Sequence, residues 1–185
     1  QLDTNYISKP YAVKNHNTGS NEIIVFDALN RMYLIDGGGK IIWKKQLESS
    51  MMGELFQVDY FDNDKLQYLF STEKMIHLID RTGMEVANFP LRLQAKASTG
   101  LAMFNFSSNN NFIFFVGCVN NSIYGYAKTG KLLAGWSPKK IMGSLSIPLK
   151  YFINNEKTYY LGVSNKGVFY FSGTRGEDIV KPLDL

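Results

Sequence analysis

Few residues in this chain have the chemistry to cleave, coordinate or transfer, and their spacing limits what they can do. His77 stands alone in an apolar stretch, Met75-Ile-His-Leu-Ile79, and His16 lies in a polar one, Asn15-His-Asn17-Thr-Gly19. Cys118 is the single thiol, and two histidines this far apart give no ligand spacing for zinc. No Ser-His-Asp or Cys-His arrangement presents itself. Asp36 and Asp80 each open a turn that ends in glycine, at Gly39 and Gly83. There a short carboxylate accepts backbone N–H groups and glycine takes the positive φ. Asp59-Tyr-Phe-Asp62-Asn-Asp64 is rich in oxygen, and hard cations want oxygen at alternate positions. Its third position is Phe61, so an ordinary polar hairpin is expected, as it is for residues 15–19. Gly37-Gly38-Gly39 would cradle a phosphate only before a helix, and strand-like Lys40-Ile-Ile-Trp43 follows instead. The expectation is a chain with no catalytic residue, no cofactor and no metal ligand.

The elements that hold these residues repeat. Four segments share one phrase, an apolar strand, a polar turn ending in Gly, and another strand: 32–43, 75–86, 123–133 and 168–179. The turn glycines, Gly39, Gly83, Gly130 and Gly176, lie 44, 47 and 46 residues apart. That period belongs to propeller blades, since helical repeats of similar length would carry a 3.6-residue apolar rhythm. In this alignment His77 shares a position with Tyr33, Tyr124 and Phe169, which makes it a packing ring with a polar edge. Ala127 and Ser172 fill the place of Asp36 and Asp80, so the acids are no shared catalytic set.

Each repeat resolves into four strands broken by turn chemistry. The second repeat is predicted as 55–61, 66–70, 75–79 and 84–89, the third as 101–106, 112–117, 122–126 and 131–136. The fourth runs 145–152, 158–163, 167–171 and 177–182, and the first 11–15, 22–26, 31–35 and 40–47. The second strands, such as Ile23-Ile-Val-Phe26 and Phe112-Ile-Phe-Phe-Val116, are apolar at successive positions. A strand greasy on both sides is covered on both sides. The fold class is therefore all-β, a β-propeller of four four-stranded antiparallel blades at about 11–47, 55–93, 101–138 and 145–185, within one domain spanning 1–185.

Bulk properties narrow the partners. The 185 residues are 45% hydrophobic and 14% aromatic, enough for a substantial core. The formal charge of +4 is mild. Lysines are scattered in pairs such as Lys44-Lys45 and Lys139-Lys140, where nucleic-acid binding wants a clustered footprint. One cysteine allows no intrachain disulfide, which suits the cytoplasm and a bacterial envelope equally. No apolar run reaches the roughly 18–20 residues that cross a bilayer. The chain opens at Gln1 rather than Met, with the expectation that something upstream has been removed.

The stretch Tyr33-Leu-Ile-Asp36-Gly-Gly-Gly39-Lys-Ile-Ile-Trp43 resembles the repeat of the quinoprotein-like (PQQ-like) β-propellers. In that family an Asp-x-x-Gly turn is followed four residues later by a docking Trp. Trp43 stands at that place in the first repeat. The second and third carry an aromatic six residues past the Gly, as Phe89-Pro90 and as Trp136 near Pro138, and the fourth has neither. The resemblance implies the fold and a non-catalytic member, without a quinone. A second likeness, of 59–67 and 15–19, is to calcium-binding hairpin loops of other propellers.

Two arrangements follow from four blades: part of a larger propeller, whose other blades lie upstream or on another copy, or a four-bladed ring. The first is favoured, with self-association as its consequence. The expected function is a non-catalytic binding or assembly scaffold that engages a protein through propeller loops and outer strands. The alternative is a carbohydrate-binding module or part of a degraded hydrolase. Trp43, Phe89, Trp136 and Met51-Met52 are candidate contact residues, with packing against a neighbouring blade as their favoured role. An extracytoplasmic location, in the periplasm or cell envelope of a bacterium, follows from the family likeness and the missing Met.

Overall fold

The computed structural model describes residues 4–5, 8–106 and 111–184. Leu185, the expected end of the fourth blade, lies outside the described residues. Among these, sixteen strands form four separate antiparallel sheets, each ordered as in the sequence. The first holds β1 (Tyr11–Lys14), β2 (Asn21–Phe26), β3 (Arg31–Ile35) and β4 (Ile41–Gln46). The second holds β5 (Met51–Val58), β6 (Gln67–Thr72), β7 (Met75–Ile79) and β8 (Leu91–Arg92). The third holds β9 (Ala102–Phe104), β10 (Ile113–Cys118), β11 (Ser122–Ala127) and β12 (Lys139–Lys140). The fourth holds β13 (Lys150–Asn154), β14 (Lys157–Val163), β15 (Val168–Ser172) and β16 (Leu183–Asp184). The chain divides into two compact units, residues 1–92 and 93–185, with two sheets in each.

The four turns between third and fourth strands are one structure built four times. Asp36 N donates to Lys40 O, and Gly39 N donates to Asp36 O. The same two bonds recur from Asp80 and Gly83, Ala127 and Gly130, and Gly173 and Gly176. All four glycines have φ between 82° and 88°, a conformation that only glycine adopts freely. This corrects the sequence alignment by one residue in the last repeat. Gly173, not Ser172, stands in the place of Asp36, and Tyr170, not Phe169, in the place of His77.

The fourth strands also differ from expectation. In the first sheet β4 follows its turn directly. In the others the chain makes one bonded step, Val86 N to Leu78 O, Leu133 N to Gly125 O and Ile179 N to Phe171 O. It then leaves the sheet. Phe89 N donates to Val86 O and Trp136 N to Leu133 O, closing second turns with positive φ at Asn88 and Gly135. The strand resumes only at 91–92, 139–140 and 183–184, so 84–89, 131–136 and 177–182 are not continuous strands. Those second turns are also why the aromatic falls six residues past the glycine rather than four.

Each unit has its own core, built from facing sides of its two sheets. In the first, Ile24, Phe26, Met32 and Leu34 meet Tyr68, Phe70 and Ile79 of the second sheet. In the second, Phe104, Phe115, Ile123 and Trp136 meet Tyr160, Val168 and Tyr170 of the fourth. β6 is buried at all six positions and β10 at five of six, as two-sided cover requires. β14 instead alternates, with Tyr160 and Gly162 buried and Tyr159, Leu161 and Val163 half-buried.

Candidate interaction surface

Residues that the sequence marks as chemically suggestive are placed in the contacts between sheets. Trp43 reaches from β4 onto the turn of the second sheet. Its indole N–H donates to Arg81 O at 2.8 Å, and a Cβ on Gly83 would lie 3.2 Å from its ring. Trp136 does the same in the other unit, its ring 3.5 Å from where a Cβ on Gly176 would stand. Its indole N–H donates to Ile123 O. Two lysines complete this docking in parallel fashion. Lys45 Nζ donates to Gly83 O at 3.0 Å and lies 3.8 Å from Glu85. Lys139 Nζ donates to Gly176 O at 3.1 Å and pairs with Asp178 at 2.6 Å. In both units the acid stands two residues past the turn glycine. Sequence reasoning passed over this repeat of lysine and acid, although the matching offsets from Gly83 and Gly176 were its visible signal. Phe89 is buried against Tyr60, and Met51 packs on the first core.

His77 does more than pack. Its ring stacks on Phe70 at 5.0 Å and 12°, and only 5% of its side chain is exposed. Nδ1 lies 2.8 Å from Glu85 and Nε2 lies 3.1 Å from Glu48. Each ring nitrogen thus faces one carboxylate. Burial works against the charge on Glu48, but hydrogen bonds from Thr72 and its own backbone, with His77 nearby, hold its carboxyl below the usual range. Glu48 follows β4 and His77 lies on β7, so the group ties the first sheet to the second. A second tie is Glu22, nearly fully buried, which accepts a two-pronged contact from Arg81 and a bond from Asn15.

The acids of the turns are consumed by backbone. Asp36 accepts from Gly38 and Lys40, and Asp80 from Thr82 and Met84. Asp59 accepts from Asn63 and Asp64, and Asn15 Oδ1 from Asn17. Cys118 is buried in β10, and burial pushes its thiol up to about 11.

At the turn end of the first unit, loops 15–19, 59–66 and 80–83 surround a groove of about 490 Å³. The loop that carries Phe61 is held by the Asp59 bonds and by Gln67, whose side chain accepts from Tyr60 N and donates to Lys65 O. Phe61 is left 54% exposed at the rim, edge-on to Tyr60 at 4.9 Å. His16 Nδ1 accepts from Leu66 N at 3.1 Å, which leaves Nε2 as the donor. Arg81 is matched by Glu22, so the lining is an exposed aromatic among amides, hydroxyls and balanced charge.

Separate four-stranded antiparallel sheets, each carrying the same turn and docked on its neighbour within a unit, define a β-propeller. Solved structures bear this out. The chain is similar to BBS1N crystallised in complex with ARL6DN, at a TM-score of 0.73 and 10% identity, covering 98% of this chain and 57% of that one. It is also similar to BamB from Moraxella catarrhalis, at 0.67 and 12%, covering 99% and 50%. A third likeness is to the Neurospora crassa Pan2 WD40 domain, at 0.58 and 14%, covering 88% and 46%. The chain thus spans about half the length of the propellers it matches. No family model and no curated protein matches it. No helix among the described residues is long and apolar enough to cross a membrane.

Proposed function

We propose that the chain is a non-catalytic binding scaffold that engages a protein partner through the loop groove around Phe61. The observation that carries this is the allocation of its reactive groups. His77, Glu48, Glu85, Glu22 and Arg81 join sheet to sheet, and the turn acids hold backbone, while an exposed aromatic stands on a braced loop. Aromatic side chains fixed in this way are efficient contact residues, since little conformational freedom is lost when they bind. Propellers of similar shape include one, BBS1N, solved in complex with another protein.

The repeats are read as quinoprotein-like, supported by Trp43 and Trp136 on the glycine turns that follow them, and the location as extracytoplasmic. The carbohydrate reading keeps one supporting observation, the amide and hydroxyl groups of Asn17, Asn63, Gln67 and Thr82 that line the groove with Phe61. Photo-crosslinking from a benzoylphenylalanine at position 61 in cells tests the choice. A discrete protein adduct, absent when the probe replaces exposed Leu132, supports the scaffold. A reproducible glycan-array hit lost in Phe61→Ala, or turnover in a hydrolase panel, overturns it.

A further inference from the structure

The second unit carries a groove of its own, built from the same parts as the one beside Phe61. Each takes residues from the loop between the first two strands of one sheet, from the second strand of the next sheet, and from that sheet's glycine turn. Phe106, Leu133, Thr158, Tyr160 and Arg175 are among the lining of the second groove. Its volume is about 570 Å³, within the roughly 300–1,000 Å³ of ordinary ligand sites. Phe106 forms an apolar wall, 42% exposed and edge-on to Tyr151 at 5.0 Å.

Strand pairing lets the two units be compared residue by residue. Ile23 and Phe114 each pair with the residue just before a turn opener, Ile35 and Tyr126. Glu22 and Ile113, one residue earlier, are therefore equivalent. Tyr68 and Tyr160 are equivalent on the same ground, through Ile79 and Ser172. In the first unit Arg81 of the turn meets Glu22, and both lie close enough to Tyr68 for their charges to act on its hydroxyl. In the second unit the turn again holds an arginine, Arg175, one position nearer the glycine. The place of Glu22, however, is taken by half-buried Ile113, which lines the groove. Glu177 accepts from the backbone N–H of Arg175, and Asp178 is held by Lys139. Among the described residues no acid pairs with the Arg175 guanidinium. Tyr160 is only 2% exposed, and no described residue bonds its hydroxyl. Burial pushes that hydroxyl up to about 12, so it stays a donor.

We propose that this groove binds an acidic segment of a partner protein, with a glutamate carboxylate on Arg175 and Tyr160 and an apolar neighbour against Phe106 and Leu133. The carboxylate does for Arg175 what Glu22 does for Arg81. A guanidinium fork matches a carboxylate in two parallel bonds, and a buried hydroxyl without a partner gains one. What serves the first unit here is a glutamate on an extended strand, so the occupant is a peptide rather than a free acid. The site is separate from the groove around Phe61.

Selection from a displayed library of short random peptides tests it, followed by fluorescence anisotropy of the enriched peptides on the native chain. Circular dichroism melts check that each variant folds. Enriched peptides are expected to carry Glu or Asp beside an aliphatic or aromatic residue. Arg175→Ala should weaken their binding by about tenfold or more, the usual worth of a hydrogen bond to a charged group, and Tyr160→Phe by less. Ile113→Glu installs the acid of the first unit and should abolish binding, while Ile113→Gln should keep most of it. Val119→Asp, past the far end of β10, should leave it intact. A selection without acidic peptides overturns the proposal, as does binding that survives Arg175→Ala. Binding lost in Phe61→Ala and kept in Arg175→Ala overturns it by assigning the peptides to the other groove. Binding of 3-phenylpropionate as tight as that of the peptides overturns it in favour of a free organic acid.

Discussion

The two units make the same junction with different materials. Between the first and second sheets the contact is partly ionic, with His77 between Glu48 and Glu85, and Arg81 on buried Glu22. Between the third and fourth it is aromatic. Phe115, Trp136 and Tyr160 lie within 4.7–5.8 Å of one another, and Lys139 pairs with Asp178 alongside them. What the junctions share is the docking device, a Trp and a Lys on the next turn's glycine. The comparison teaches that the repeat specifies the docking geometry and leaves the filling free. A filling that holds carboxylates makes stability conditional on acid pH, and an aromatic one does not.

Trp136→Ala should give the largest effect, a loss of about 3–5 kcal/mol, the usual range for emptying a buried aromatic site. Trp43→Ala should cost less, because Trp43 is only half-buried. Urea denaturation measures both, and equal losses would break the comparison. Next comes Gly125→Ala. Its Cβ would stand 2.7 Å from Phe115 and 3.2 Å from Trp136, an overpacking worth about 1–3 kcal/mol. His77→Phe keeps a ring for Phe70 and leaves two carboxylates without their donor, which should cost about 1–3 kcal/mol.

The pH dependence should separate the units. Asp27 and Glu48, both in the first, are held below their ordinary values. Burial opposes this in each, and hydrogen bonds from Tyr33 and Arg31 at Asp27, and from Thr72 at Glu48, outweigh it. A group depressed on folding adds stability above its unfolded value and loses it as pH falls through the folded one. The first unit should therefore weaken below about pH 4, and Glu48→Gln should flatten that slope in acid melts. In the second unit Cys118 is raised to about 11 by burial. Its contribution is present below the unfolded value and lost as pH rises from about 8.5 through the folded one. The smallest effect is chemical: native Cys118 should resist a thiol reagent at pH 8 and react once the chain is unfolded.

Much of the architecture was legible because its signals are local. Turn glycines at a fixed period, and second strands apolar on both sides, need nothing beyond neighbouring residues to read. The displaced fourth strands were not legible, since the turns at Asn88 and Gly135 lie within apolar runs that look like continuing strand. The last repeat slipped by one because Phe169 and Tyr170 are equally good packing rings, and only the backbone bonds of Gly173 distinguish them. His77 was read correctly as a packing ring. Its ionic role was hidden because Glu48 lies 29 residues away, and it is the stacking of one sheet on the next that joins them. Phe61 entered only as a residue lacking oxygen, and the bracing by Asp59 and Gln67 that leaves it exposed on a fixed loop appears once the hairpin is built.

A double-mutant cycle on Trp136 and Tyr160 tests most directly whether one sheet docks its aromatic on the next. Their rings lie 5.8 Å apart at 82°, one from each sheet. Sheets stacked in this way predict a coupling of about 0.5–1.5 kcal/mol between Trp136→Leu and Tyr160→Leu. Strict additivity of the two losses would contradict the stacking.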